Sequence, residues 1–168
     1  MQSAPVNPVL VFAWGNASRG DDGLGPALFE LLEAQQSAGK LPGVDLLTDY
    51  QLQVEHALDL QGRERVLFVD ASVSARTPYE LCSVRPERDT SYTTHAMSPG
   101  AVLAVYEQIN LQAPPPAFLL SIRGYEFGLG QELSSLARAN LQQAVSLVHE
   151  LLVTAPAGDW GLRAGAVG

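Results

Sequence analysis

The chain has 168 residues, 46% of them hydrophobic and 17% charged, which is typical of one folded globular domain. Its formal net charge of -8 argues against a nucleic-acid partner, which needs a basic surface, and against docking on an anionic membrane. A single cysteine, Cys82, excludes an internal disulfide and a thiolate-rich zinc site, and we expect its thiol to be buried and inert in a strand. Because neither a signal peptide nor a membrane-spanning apolar run is recognisable, we expect a cytoplasmic protein.

The apolar pattern predicts alternating strands and helices. Strands are predicted at residues 9–13, 44–48, 66–69, 79–84 and 117–122, and helices at residues 24–38, 53–60, 99–110 and 132–154. This alternation is typical of a three-layer α/β/α sandwich with a largely parallel, twisted sheet. We expect a single domain over residues 8–154, a flexible N-terminus over residues 1–7 and a disordered tail over residues 155–168.

The loop after the first strand contains four glycines and the acidic pair Asp21-Asp22. In an open α/β sheet, ligands bind at the carboxyl ends of the strands, where this loop lies. A phosphate site would use backbone N–H groups and would avoid carboxylates. The loop therefore favours a cation, and the Gly-x-Gly-x-x-Gly, P-loop, Gly-x-Ser-x-Gly and His-Glu-x-x-His motifs are all absent from the sequence.

Further acidic residues follow the next two predicted strands. Asp49 comes after the second strand and Asp70 after the third, while His95 precedes the predicted helix N-cap Ser98. Because parallel strands end at one edge of the sheet, these groups can converge with the acidic pair. Two carboxylates and an imidazole leave coordination positions open on a divalent cation.

Each of these residues also has a structural interpretation. One member of the acidic pair can cap the first helix; we assign that role to Asp21 and the ligand role to Asp22. Asp49 can instead stabilise a turn by hydrogen-bonding to the nearby backbone, and a lone histidine such as His95 is often structural. The other two histidines, His56 and His149, lie on predicted helices, and we interpret both as structural.

Three motifs together resemble the nickel-iron hydrogenase maturation endopeptidases. They are Gly15-Asn16 with Gly20-Asp-Asp-Gly-Leu-Gly25, then Val66-Leu-Phe-Val-Asp-Ala71, and then His95-Ala-Met-Ser-Pro99. The resemblance covers residues 9–154 and implies a twisted sheet sandwiched by helices. It also implies that Asp22, Asp70 and His95 recognise a metal.

The resemblance implies an endopeptidase that removes the C-terminal extension of a hydrogenase large-subunit precursor after nickel insertion, with nickel carried by that precursor. Within this interpretation, Asp49 is the candidate catalytic residue, as general base or substrate-positioning carboxylate. A non-catalytic nickel-binding or chaperone module for hydrogenase assembly remains an alternative, as does a nucleotide-binding α/β domain. We expect a monomer, with no nucleic-acid or membrane partner.

The chain departs from the family pattern at two places. Tyr50-Gln51-Leu52 follows Asp49 where many members have Gly-Gly-Thr, and Ser98-Pro99 follows His95 where other members have Ser-Pro before the histidine. The loss of both glycines predicts a different backbone geometry beside Asp49. The two departures resemble a branch that serves a soluble, NAD-coupled hydrogenase.

Overall fold

A computed structural model describes residues 5–88, 97–154 and 157–164. The strands are β1 (Val9–Trp14), β2 (Val44–Asp49), β3 (Arg65–Ser72), β4 (Tyr79–Val84) and β5 (Ala117–Arg123). The α-helices are α1 (Leu24–Ser37), α2 (Pro99–Asn110), α3 (Ser135–His149) and α4 (Ala157–Ala164). Two 3-10 helices (Gly20–Gly23 and Val54–Leu60) and a π-helical turn (Glu150–Thr154) complete the described elements. Within the described ranges, no helix is both long and apolar enough to cross a membrane.

The five strands form one sheet in the order β2-β1-β3-β5-β4. β1, β2, β3 and β5 run parallel, and β4 pairs antiparallel with β5 at the edge. The predicted largely parallel sheet is therefore confirmed. All four parallel strands end at the same edge of the sheet, which is where the acidic residues were expected to meet.

The core consists of two apolar layers, one on each face of the sheet. In β1, Val9, Val11 and Ala13 pack on the face covered by α1 and α3. The alternate residues Leu10, Phe12 and Trp14 pack on the face covered by α2. Because both faces are buried, β1 has no polar position, and the predicted three-layer α/β/α sandwich is confirmed.

The C-terminal segment differs from the disordered tail expected over residues 155–168, because Ala157–Ala164 form α4. Trp160 is 0% exposed, and its indole N–H donates to the carbonyl of Leu151 at 2.9 Å. Its ring meets Phe118 edge-on at 5.5 Å between centroids, and the guanidinium of Arg65 lies 4.6 Å above it. One aromatic anchor thus orders a segment whose Gly/Ala-rich composition predicts disorder.

Cys82 is exposed, so the expectation of a buried thiol is wrong. The residue lies in β4, where the neighbouring Leu81 is only 3% exposed and faces the core. Side chains alternate between the two faces of a strand, and the outer face of this edge strand is open to solvent at Cys82.

Candidate functional site

Asp21 is a buried structural link between the first loop and the last helix of the core. Its carboxylate accepts hydrogen bonds from the N–H groups of Tyr125 (2.8 Å), Glu126 (3.0 Å) and Ser134 (2.7 Å), and from the Ser134 hydroxyl (2.7 Å). Burial raises the pKa of Asp21, but these hydrogen bonds outweigh it and hold the pKa below its ordinary value. Asp21 therefore holds Ser134, the N-cap of α3, instead of capping α1, whose N-cap is Gly23.

Asp22 points its carboxylate back towards the end of β1. Its Oδ2 accepts the N–H of Asn16 at 2.8 Å. Gly15 makes this return possible, because its φ of +149° suits glycine and a Cβ there would lie 2.1 Å from the Asp22 carbonyl oxygen. The glycine and the acidic residue of the first motif are thus parts of one tight loop, which leaves the Asp22 side chain half-buried.

Asp70 lies inside β3, opposite Ser121 of β5, because the strand continues beyond the predicted end to Ser72. Burial raises the pKa of its carboxyl to about 7; a hydrogen bond from the Ala71 N–H opposes this rise, and the negative charge of Asp22 adds to it. Asp22 and Asp70 are therefore close enough to repel each other. A cation between them would relieve this repulsion, and carboxylate oxygens suit a hard or borderline metal ion.

Asp49 ends β2 and stands opposite Trp14 in the register with β1. Its carbonyl oxygen accepts the N–H of Gly15 at 3.1 Å, next to the Asn16 N–H that holds Asp22. The same two residues after β1 thus hold both acidic residues at this edge of the sheet. The side chain of Asp49 remains 34% exposed.

His56 is a partner of Asp49 that the sequence interpretation missed. Its Nε2 lies 3.1 Å from Oδ2 of Asp49, although His56 was interpreted as structural. The spacing of seven residues matches no catalytic motif, because the contact depends on how the 3-10 helix Val54–Leu60 folds back against β2. His149, at the end of α3, keeps its structural interpretation.

The turn after Asp49 forms without the two glycines. Over the described ranges, Leu111 is the only non-glycine residue with positive φ, so Tyr50, Gln51 and Leu52 need no left-handed backbone. Leu52 is 1% exposed, and its carbonyl accepts the N–H of Met97 at 3.3 Å. A buried leucine thus anchors this turn.

His95 lies outside the described residues. In the ranges that the structure does describe, no group of three or more His, Cys, Asp or Glu side chains is placed to hold a metal ion. Of the three predicted ligands, Asp22 and Asp70 lie near enough for the charge of Asp22 to raise the pKa of Asp70. Met97, two positions after His95, hydrogen-bonds to the turn beside Asp49, so the chain returns to this edge of the sheet.

No family model and no curated protein matches the chain. Several solved structures do match the chain. The nickel-iron hydrogenase maturation protease HycI from Thermococcus kodakarensis KOD1 has a TM-score of 0.65 and 21% identity, covering 87% of this chain and 92% of its own. The hydrogenase maturating endopeptidase HybD from E. coli has a TM-score of 0.63 and 20% identity, covering 83% and 88% respectively. The hydrogenase 2 maturation peptidase from a Thaumarchaeota archaeon has a TM-score of 0.61 and 25% identity, covering 86% and 97%.

These matches cover most of both chains, so the similarity extends over the whole domain and not only over a shared sheet. They agree with the resemblance found in the sequence motifs. The chain has the fold of the hydrogenase maturation proteases.

Proposed function

We propose that the protein is an endopeptidase that removes the C-terminal extension of a nickel-iron hydrogenase large-subunit precursor. The observation that carries the proposal is that Asp22, Asp70 and Asp49 all lie towards the same edge of the sheet, the edge at which the parallel strands end. This edge belongs to a fold shared with hydrogenase maturation proteases. Asp21, the remaining acidic residue of the loop, is used for structure, which leaves Asp22 free for ligand binding.

Asp22 and Asp70 are the carboxylates that would contact nickel held by the precursor, with His95 as the third ligand. The negative charge of Asp22 adds to the effect of burial in raising the pKa of Asp70, which supports this role because a bound cation would offset that repulsion. Nickel is then part of the substrate: its contact with these side chains holds the nearby peptide in one position against the sheet edge. An unloaded precursor would lack this anchor and would be released uncut.

Asp49 is the residue that we propose for the chemistry. Its carboxylate is accessible, and both of its oxygens accept a hydrogen bond from the protein, from the Tyr50 N–H at 2.7 Å and from His56 at 3.1 Å. These contacts orient the carboxylate while leaving lone pairs for a water molecule or the scissile peptide. Asp49 would act as general base towards that water, or would position the peptide.

The same proposal includes the partner and the setting. The partner is the large-subunit precursor, which the protein meets as a monomer in the cytoplasm. The acidic surface, with a net charge of -8, favours a partner segment of positive charge. The chain departs from the family pattern at Tyr50-Gln51-Leu52, which follows Asp49, and at Ser98-Pro99, which follows His95. Both departures favour a soluble, NAD-coupled hydrogenase as the source of the precursor.

Intact-mass spectrometry of a nickel-loaded precursor, mixed with each protein variant, tests the peptidase activity. We expect the wild type to release a C-terminal peptide, and Asp49→Asn to lower the single-turnover rate by about 100-fold or more. Glu55→Gln is the matched control, because it removes one exposed negative charge from the neighbouring 3-10 helix. Cleavage by Asp49→Asn at the wild-type rate would refute the catalytic role. No cleavage by the wild type, with nickel-dependent binding retained, would favour the non-catalytic module.

A further inference from the structure

His56 combines burial with a polar partner at the functional edge. The residue is 9% exposed, and its ring meets Phe12 edge-on with 4.5 Å between centroids. Its Nε2 lies 3.1 Å from Oδ2 of Asp49. Core packing alone does not explain why this buried imidazole contacts Asp49, the accessible carboxylate that we propose for catalysis.

The backbone fixes the tautomer of His56. Nδ1 lies 2.8 Å from the backbone nitrogen of Gln53, whose N–H can only donate. Nδ1 therefore accepts and carries no proton, so in the neutral ring the proton is on Nε2. The Nε2–H then donates to Asp49, and the chain of hydrogen bonds runs in one direction from Gln53 through His56 to Asp49.

This chain leaves Asp49 with little rotational freedom. The Tyr50 N–H holds one carboxylate oxygen at 2.7 Å, and His56 holds the other. The His56 side chain is 11% exposed, whereas that of Asp49 is 34% exposed. The imidazole is thus on the protected side of the carboxylate, and Asp49 presents its remaining surface to solvent.

We infer that His56 is the positioning residue of Asp49, acting as a neutral hydrogen-bond donor whose tautomer is set by Gln53. The inference rests on the proposed function, because it assigns His56 a part in the same cleavage reaction. It also explains how Tyr50-Gln51-Leu52 can replace a glycine turn. Side-chain and backbone hydrogen bonds orient Asp49 here without left-handed backbone in that turn. Misplacing a reacting group by about 1 Å costs a rate factor of about 100, and His56 prevents that misplacement.

Two amide substitutions separate the two hydrogen bonds of His56. His56→Gln places an amide N–H where Nε2–H is, and so keeps the donor to Asp49. His56→Asn places an amide oxygen where Nδ1 is, and so keeps only the acceptor for Gln53. Single-turnover cleavage of a nickel-loaded large-subunit precursor, at saturating enzyme, is the activity measured. We expect His56→Gln to stay within a few-fold of the wild type and His56→Asn to fall about 100-fold.

Precursor binding and the denaturant midpoints of both variants are measured alongside. We expect precursor binding to stay close to the wild type and the two midpoints to fall by similar amounts, because each variant loses the ring contact with Phe12 and one hydrogen bond. Equal rates in the two variants, or equal losses that follow a loss of stability, would overturn the inference while the proposed function stands. No cleavage of a confirmed precursor by the wild type would overturn the proposed function, and the inference with it.

A second readout does not depend on cleavage. Nitrogen-15 NMR of the labelled wild-type protein near neutral pH reports which ring nitrogen of each histidine carries the proton, and the His56 signal is the one that both variants lose. We expect an unprotonated Nδ1 and a protonated Nε2. A proton on Nδ1 would contradict the hydrogen-bond direction and overturn the inference.

Discussion

Replacing Asp70 with asparagine should stabilise the protein at alkaline pH. Burial raises the pKa of this carboxyl to about 7 from an ordinary 3.8, and the charge of Asp22 contributes to the rise. The folded state therefore binds the proton more tightly than the unfolded chain does. As pH rises from about 4 to about 7, the unfolded state loses its proton first, and the free energy of unfolding falls.

The size of this effect follows from the two pKa values. Each pKa unit corresponds to about 1.4 kcal/mol, so ionised Asp70 costs the fold up to about 4 kcal/mol above neutral pH. Asparagine has nearly the same shape, keeps an oxygen for the Ala71 N–H and never ionises. Asp70→Asn should therefore exceed the wild type in unfolding free energy by a few kcal/mol at about pH 8, and by little at about pH 4.

Urea unfolding in the presence of a chelator, at about pH 4 and about pH 8, measures this difference. Glu33→Gln on α1 is the control, because that side chain is exposed and its replacement should give no pH-dependent gap. The same Asp70→Asn protein should fail to process the precursor, because it lacks a proposed metal ligand. A functional residue that lowers the stability of the fold is expected to behave in this way. Two results would contradict this prediction: a difference in unfolding free energy between Asp70→Asn and the wild type that does not grow with pH, or a variant less stable than the wild type at about pH 8.

Three further predictions concern other parts of the chain. Asp21→Asn should lower the free energy of unfolding by about 3 kcal/mol or more, because it removes a buried negative charge that accepts several hydrogen bonds and because its NH2 group would face either the Ser134 N–H or those of Tyr125 and Glu126. Urea unfolding at neutral pH measures this, and an unchanged midpoint would contradict it. That stabilisation belongs to the ionised carboxylate, so in the wild type it should be present above about pH 4 and lost on acidification. Trp160→Ala should cost about 3–5 kcal/mol, whereas an unaffected Tm would show that α4 contributes nothing to the core. Asp22→Asn should abolish processing without loss of stability, and a variant that fails to fold would instead support a structural role for Asp22.

Local sequence patterns predict the sheet and its functional edge. The apolar run in β1 and the position of Asp49 at the end of β2 require only the pattern of a buried parallel strand, whereas Asp70 lies two residues before the end of β3. The structural role of Asp21 is also predicted from the sequence, although its partner is not, and the ligand role of Asp22 stays a prediction. Asp21 binds Ser134, which lies 113 residues away, and no local pattern reports such a contact.

The features that sequence reasoning missed all depend on tertiary contacts. His56 has a partner only because the 3-10 helix Val54–Leu60 turns back onto β2. α4 forms because Trp160 finds a buried site beside Phe118, which composition alone does not reveal. In both places, a tertiary contact decides a feature that the local pattern does not indicate: the partner of His56 in the first, and the helix α4 in the second.

The most direct test of nickel-dependent processing by this protein compares one large-subunit precursor in nickel-loaded and nickel-free form. Each form is mixed with the wild-type protein, and intact-mass spectrometry follows the C-terminal peptide. We expect release of that peptide from the nickel-loaded precursor alone, because Asp22, Asp70 and His95 would hold only that form at the sheet edge. Release from both forms at equal rates would contradict nickel recognition, and release from neither would contradict the peptidase function.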